Sequence, residues 1–176
     1  MNKLETNKVY IGDCFDVLKT FPSESIDMCI TSPPYWGLRD YGVNTQLGLE
    51  KTPEQFIDKL CDVFDEVKRV LKPNGSCWVN LGDSYHRGTR DSVPKQKGIK
   101  EVGYKYEFNH KKKYGDYYRP KSLIQIPSRF SIEMTNRGWV LRNEIIWHKP
   151  SCLPASVKDR FTVDFEKMFF FTKNPN

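Results

Sequence analysis

The chain has 176 residues, 38% of them hydrophobic and 28% charged, and a formal net charge of +6. That length suits one domain, 1–176, with a core of useful size. The charged start MNKLETNKVY and the lack of any apolar run near the roughly eighteen residues of a membrane span argue against a leader or a membrane protein. Five cysteines, an odd number without C-x-x-C spacing, argue against a disulfide framework; they read as reduced, buried thiols of a cytoplasmic protein.

In chain order, Val9-Tyr10-Ile11 reads as a short strand ending in the turn Gly12-Asp13, and Phe15, Val17, Leu18 and Phe21 mark an amphipathic helix. Pro22-Ser23-Glu24 ends it, and Ile26, Met28 and Ile30 alternate with polar or small residues as a second strand. Thr52 with Gln55 makes a capping box around Pro53, followed by Phe56, Leu60, Val63, Phe64, Val67 and Leu71 at helical spacing. Lys72-Pro73-Asn74-Gly75 reads as the stop of this helix, Ser76 to Leu81 as a third strand, and Gly82-Asp83-Ser84 as its exit turn. The segment 85–121 has neither hydrophobic period and reads as a long basic loop insertion. Leu123 to Arg137 then reads as a helix, and Val140 to Trp147 and Lys167 to Thr172 as strands. The alternation predicts an α/β fold with a mainly parallel sheet.

The strand at Ile30 opens into Thr31-Ser32-Pro33-Pro34-Tyr35-Trp36. Two prolines fix φ and lack a donor, so they leave the ladder and stiffen an extended turn with free carbonyls. A hydroxyl, rigid acceptors and two flat aromatics at the C-terminal end of a strand are what holding the exocyclic amine of a nucleobase requires. An adaptor-binding proline turn is the plainer alternative.

Ser32-Pro33-Pro34-Tyr35 resembles the fourth motif of the amino-group DNA methyltransferases, and Thr31 to Gly42, TSPPYWGLRDYG, resembles its form in the β-type, circularly permuted members. The resemblance implies a Rossmann-like fold that uses S-adenosyl-L-methionine as methyl donor and DNA as partner. It makes Ser32, Pro33, Pro34 and Tyr35 the catalytic set. A hydroxyl and a proline carbonyl accept the two N–H bonds of an amine whose lone pair is otherwise delocalised, and attack is direct and in line. The target base must be flipped out of the duplex, with Tyr35 as its stacking platform. In this family serine at the first position goes mostly with cytosine N4 and aspartate with adenine N6. C5 chemistry would need a cysteine after a proline, and none of the five follows one. Asp13 and Cys14, in the turn after the first strand, are the expected contacts of the donor's adenine, although such turns are common without a ligand. Trp147 to Pro150 and Phe169 to Phe171 resemble the later family motifs that build the sheet and target pocket. No metal is expected: His148 and Cys152 lack a second pair of ligands.

From Ser84 to Lys121 eleven Lys or Arg stand against four acids, a net of +7, leaving −1 on the rest. One basic segment on a neutral body points to a polyanion. Arg39, Arg87, Arg90, Lys111, Lys112, Lys113 and Arg119 are the candidate DNA contacts, interleaved with Tyr104, Tyr106, Tyr114, Tyr117 and Tyr118. A solvated loop is the alternative. No G-x-G occurs anywhere, whereas the family places a glycine-containing donor motif near the C-terminal end of its β-type members. By that resemblance the strands here are the third to seventh of seven, and unpaired edges are expected. A companion chain or a further C-terminal segment would then supply the donor motif and target recognition; a noncatalytic DNA-binding fragment is the alternative.

Overall fold

The computed structural model describes residues 4–43, 45–86, 118–119 and 121–175. In chain order the elements are α1 (Cys14–Lys19), β1 (Ile26–Thr31), α2 (Pro53–Val70), β2 (Leu71–Leu81), α3 (Ile126–Asn136), β3 (Val140–His148) and β4 (Phe165–Thr172). They form one four-stranded sheet of order β1-β2-β4-β3. β1 and β2 run parallel, while β4 is antiparallel to both β2 and β3. The sheet is therefore mixed rather than mainly parallel. Hydrophobic alternation marks a strand but carries no information about its direction.

α2 begins as its capping box requires: the Thr52 side chain accepts from the Gln55 amide at 3.2 Å, and Pro53 occupies the first turn. Its buried face, including Phe56, Leu60, Phe64 and Val67, lies over the sheet with α3. Phe130 of α3 links both layers, with ring centroids 5.2 Å from Phe64 and 6.1 Å from Phe171. The helices are also tied at their ends. Arg137 reaches Asp62 and Asp65 of α2 at 2.7 Å each, and Lys68 donates to the Gly138 carbonyl at 2.7 Å.

β2 starts at Leu71, earlier than the sequence pattern indicates. Ile26 pairs with Leu71 and Met28 with Ser76, so Lys72 to Gly75 form a bulge inside the strand instead of a turn before it. The Lys72 ammonium on Asp27 at 2.6 Å pins this bulge to β1. The expected strand at Val9-Tyr10-Ile11 does not form: Val9 is 84% and Ile11 94% exposed, and neither joins a ladder. A strand requires a partner for its backbone groups. The outer edge of β1, where further strands are expected, has none among the described residues. Only Cys61 and Cys77 are buried; Cys14 is exposed, and Cys29 and Cys152 are half-buried. No helix among the described residues is long and apolar enough to cross a membrane.

Candidate active site

The parallel strands β1 and β2 end at Thr31 and Leu81, and the antiparallel pairings bring the start of β4 and the end of β3 to the same edge. Leu81 stands opposite Lys167, and His148 opposite Phe165. The proline loop leaves the sheet here, where α/β sheets bind ligands.

Three contacts hold the loop. Trp36 is buried and its indole N–H donates to the Glu50 carbonyl at 3.0 Å, so it anchors the turn and is not a platform for a base. The Gly37 amide donates to the Gly48 carbonyl at 2.7 Å. Gly48, with φ of +99°, closes against the Tyr35 carbonyl, where a Cβ would stand 3.0 Å from that oxygen. The Gly48 amide is held in turn by the buried Glu50 carboxylate at 2.9 Å.

On its outer side the loop frames a cavity of about 300 Å³ lined by Ser32, Pro33, Pro34, Tyr35, Leu38, Arg39 and Tyr41. Ser32 is exposed. Among the described residues no hydrogen bond takes the Pro33 carbonyl. Ser32 and Pro33, which carry the two expected acceptors, thus both line one cavity, together with Tyr35 and the exposed Arg39.

Tyr35 is fixed from the other side by residues the sequence reading passed over. Its hydroxyl donates to Glu166 Oε2 at 3.0 Å and accepts from Asn80 Nδ2 at 3.0 Å and from Ser32 Oγ at 3.3 Å. Asn80 also donates to Glu166 at 2.7 Å, and the Lys149 ammonium pairs with the other carboxylate oxygen. The ring lies over Gly82, where a Cβ would come within 2.5 Å of it. Burial pushes the Tyr35 phenol above its ordinary value, with Glu166 adding to the push and Ser32 opposing it. Burial acts to raise the Glu166 carboxyl as well, but Lys149, Asn80 and Tyr35 outweigh it and hold it below the usual glutamate value. A carboxylate interrupting the start of an apolar strand is the available sequence signal. The strand pattern beginning at Lys167 leaves it out.

The remaining candidates fall in different places. Asp13 caps α1 by accepting from the Phe15 amide at 2.9 Å, with Cys14 exposed beside it. Asp83 accepts from the Ile126 and Ser84 amides at 3.0 and 2.8 Å, so the Gly82-Asp83-Ser84 turn serves the start of α3. Arg119 is exposed. Tyr118 packs against the core and donates to Glu54 at 2.6 Å, a structural role in place of base stacking. Arg87, Arg90, Lys111, Lys112, Lys113 and the other loop tyrosines lie outside the described residues. No cluster of three or more metal-ligating side chains occurs among the described residues.

The profile of the DNA methylase family matches residues 26–176. M.Cfr9I, a type II methyltransferase of Citrobacter freundii, is 41% identical over 168 residues that cover 94% of this chain and 54% of that protein. Among solved structures, a PvuII DNA methyltransferase described as cytosine-N4-specific aligns at a TM-score of 0.60 and 23% identity, over 94% of this chain and 48% of that one. A protein of Thermus thermophilus, solved with S-adenosyl-L-methionine, aligns at 0.61 and 24%, over 94% and 55%. The fold is therefore that of the S-adenosylmethionine-dependent DNA methyltransferases, present here as an incomplete Rossmann-like sheet. The chain belongs to the DNA methylase family, in its β-class of amino-methyltransferases. It spans about half the length of these relatives.

Proposed function

We propose that this chain forms the amine-activating part of a site-specific DNA methyltransferase that transfers the methyl group of S-adenosyl-L-methionine to cytosine N4, within a restriction-modification system. The observation that carries this reading is that Ser32 and Pro33, the residues bearing the two expected acceptors, line one cavity together with Tyr35. Two acceptors that take the two N–H bonds of an aryl amine draw its nitrogen toward tetrahedral geometry and turn the lone pair outward. The donor, when bound, supplies an electrophilic methyl on sulfonium. Pro33 and Pro34 hold the acceptors in place before the base arrives, and the Tyr35 ring offers a face for it.

Serine at the first motif position favours cytosine N4, and adenine N6 is the reading it competes with. For the donor, Asp13 and Cys14 are the candidates in this chain. Asp13 fits such a role because it is exposed and only one of its oxygens is engaged in the α1 cap. DNA would be held by Arg39 and by the basic residues of 85–121, Arg119 among them, through phosphate neutralisation. The lack of a G-x-G turn, and an edge of β1 that no strand pairs among the described residues, favour a further segment or companion chain at the donor site.

The test is incubation of the full-length protein with labelled S-adenosyl-L-methionine and unmodified DNA, followed by identification of the modified nucleoside. N4-methylcytosine is expected, and N6-methyladenine would transfer the assignment to the rival base. Ser32→Ala is expected to lower the rate by about a hundredfold or more, as loss of one fixed polar partner of a transition state does. No transfer to DNA by the parent protein would overturn the reading.

A further inference from the structure

Ser32 can act only if its lone pairs, and not its proton, face the incoming amine. A hydroxyl rotates freely, so something must hold the proton elsewhere. The Tyr35 oxygen is 3.3 Å from Ser32 Oγ, and its own single proton is directed to Glu166 at 3.0 Å. An ionised carboxylate has no proton to give, and the Asn80 amide nitrogen at 3.0 Å only donates. Tyr35 therefore has no proton left for Ser32, and the contact between the two hydroxyls must use the Ser32 proton. The carboxylate end of this chain is secured separately, by Lys149 on one oxygen and by Asn80 on the other at 2.7 Å.

We infer that Glu166 is a positioning residue for the methyl transfer proposed above: by taking the Tyr35 proton it makes Tyr35 take the Ser32 proton, which leaves the Ser32 lone pairs turned to the base amine. The role rests on that functional reading. Glu166 does not reach the cavity; it acts across β4 and β2 through Tyr35, which is in the loop 131 residues earlier. The depressed carboxyl of Glu166 and the raised phenol of Tyr35 agree with this direction of proton donation. Glu166→Gln keeps the size of the side chain but brings an N–H of its own. A glutamine that donates to the Tyr35 oxygen frees the Tyr35 proton to turn toward Ser32, so the polarity of the chain reverses. Tyr35→Phe removes the link altogether while leaving Lys149, Glu166 and Asn80 paired.

The experiment uses the full-length protein and its Glu166→Gln, Tyr35→Phe and double variants, each checked for native circular dichroism. The single-turnover methyl transfer rate at saturating donor, the donor affinity, and the titration of the Tyr35 ring carbon by tyrosine-selective carbon NMR are measured. Each single variant is expected to lose about ten- to a hundredfold in rate with donor affinity unchanged, as misplacement of a reacting group does. The double variant is expected to be no slower than Tyr35→Phe, because both changes break one chain. The Tyr35 titration midpoint is expected to fall in Glu166→Gln. A parent that is active beside an equally active Glu166→Gln or Tyr35→Phe, or losses that multiply in the double variant, would overturn this role alone. A parent that transfers no methyl group overturns the functional reading, and the role with it.

Discussion

The two faces of the sheet differ in what covers them. On one face Cys77, Val79, Phe169 and Phe171 are fully buried beneath α2 and α3. On the other, the register sets Met28, Ile30, Trp78, Phe170, Ile145 and Trp147 side by side. Ile30 remains 65% exposed, Met28 54% and Trp147 52%. Trp78 and Phe170 stack on each other at 4.3 Å on this face. A sheet that is apolar on both sides is built to be covered on both. Among the described residues, Tyr35 closes the site end of the open face, where it lies over Gly82 and bonds to Asn80 and Glu166. Stability is thus concentrated on one side of the sheet, and the polar chemistry sits at one corner of the other.

The covered face is where a single truncation costs most. Phe171→Ala, at the meeting of Phe130, Trp139 and Phe169, is expected to lower stability by about 3–5 kcal/mol in urea unfolding. A loss near that of an exposed residue would show that the helices do not carry the fold. Gly82→Ala comes next. Its methyl group must displace a ring held by three hydrogen bonds, so a loss of about 1–3 kcal/mol is expected, together with a fall in methyl transfer.

Glu166→Gln is expected to have a smaller effect, and its pH dependence has a definite sign. The folded carboxyl lies below its ordinary value, so its contribution to stability is complete above the usual glutamate range and fades as pH falls through the depressed folded value. The gap between parent and variant should therefore be open at neutral pH and close in acid. A gap that widened in acid would contradict the ionised network. Ile30→Thr on the open face should change stability least, by about 0.5 kcal/mol or less in the isolated chain. A larger loss would mean that this face is covered in solution.

The sequence pattern was legible where local signals agree. α2 could be read from Thr52, Pro53 and Gln55 followed by a 3.6-residue period, and β1 from the alternation of Ile26, Met28 and Ile30. Three features were not legible. The Lys72–Gly75 bulge has the composition of a turn, and only its pairing to Asp27 turns it into strand. Val9-Tyr10-Ile11 has strand composition but no ladder to join. The direction of β4 follows from the segment that returns from His148 to Phe165, not from any side chain. The site divides in the same way. Ser32, Pro33, Pro34 and Tyr35 are contiguous and could be read as a unit, whereas Asn80, Lys149 and Glu166 meet them only through the topology. Trp36, adjacent in sequence, belongs to the core instead.

The clamp on the proline loop has one more consequence. Two prolines, the buried Trp36 and the Gly37–Gly48 bond hold the backbone of this turn before any ligand is present. A guest that enters the cavity therefore meets a receptor that has little conformational entropy left to lose, and more of each contact is retained as affinity. Loosening that turn at Gly37 or Gly48 would be felt as weaker capture of any guest in the cavity.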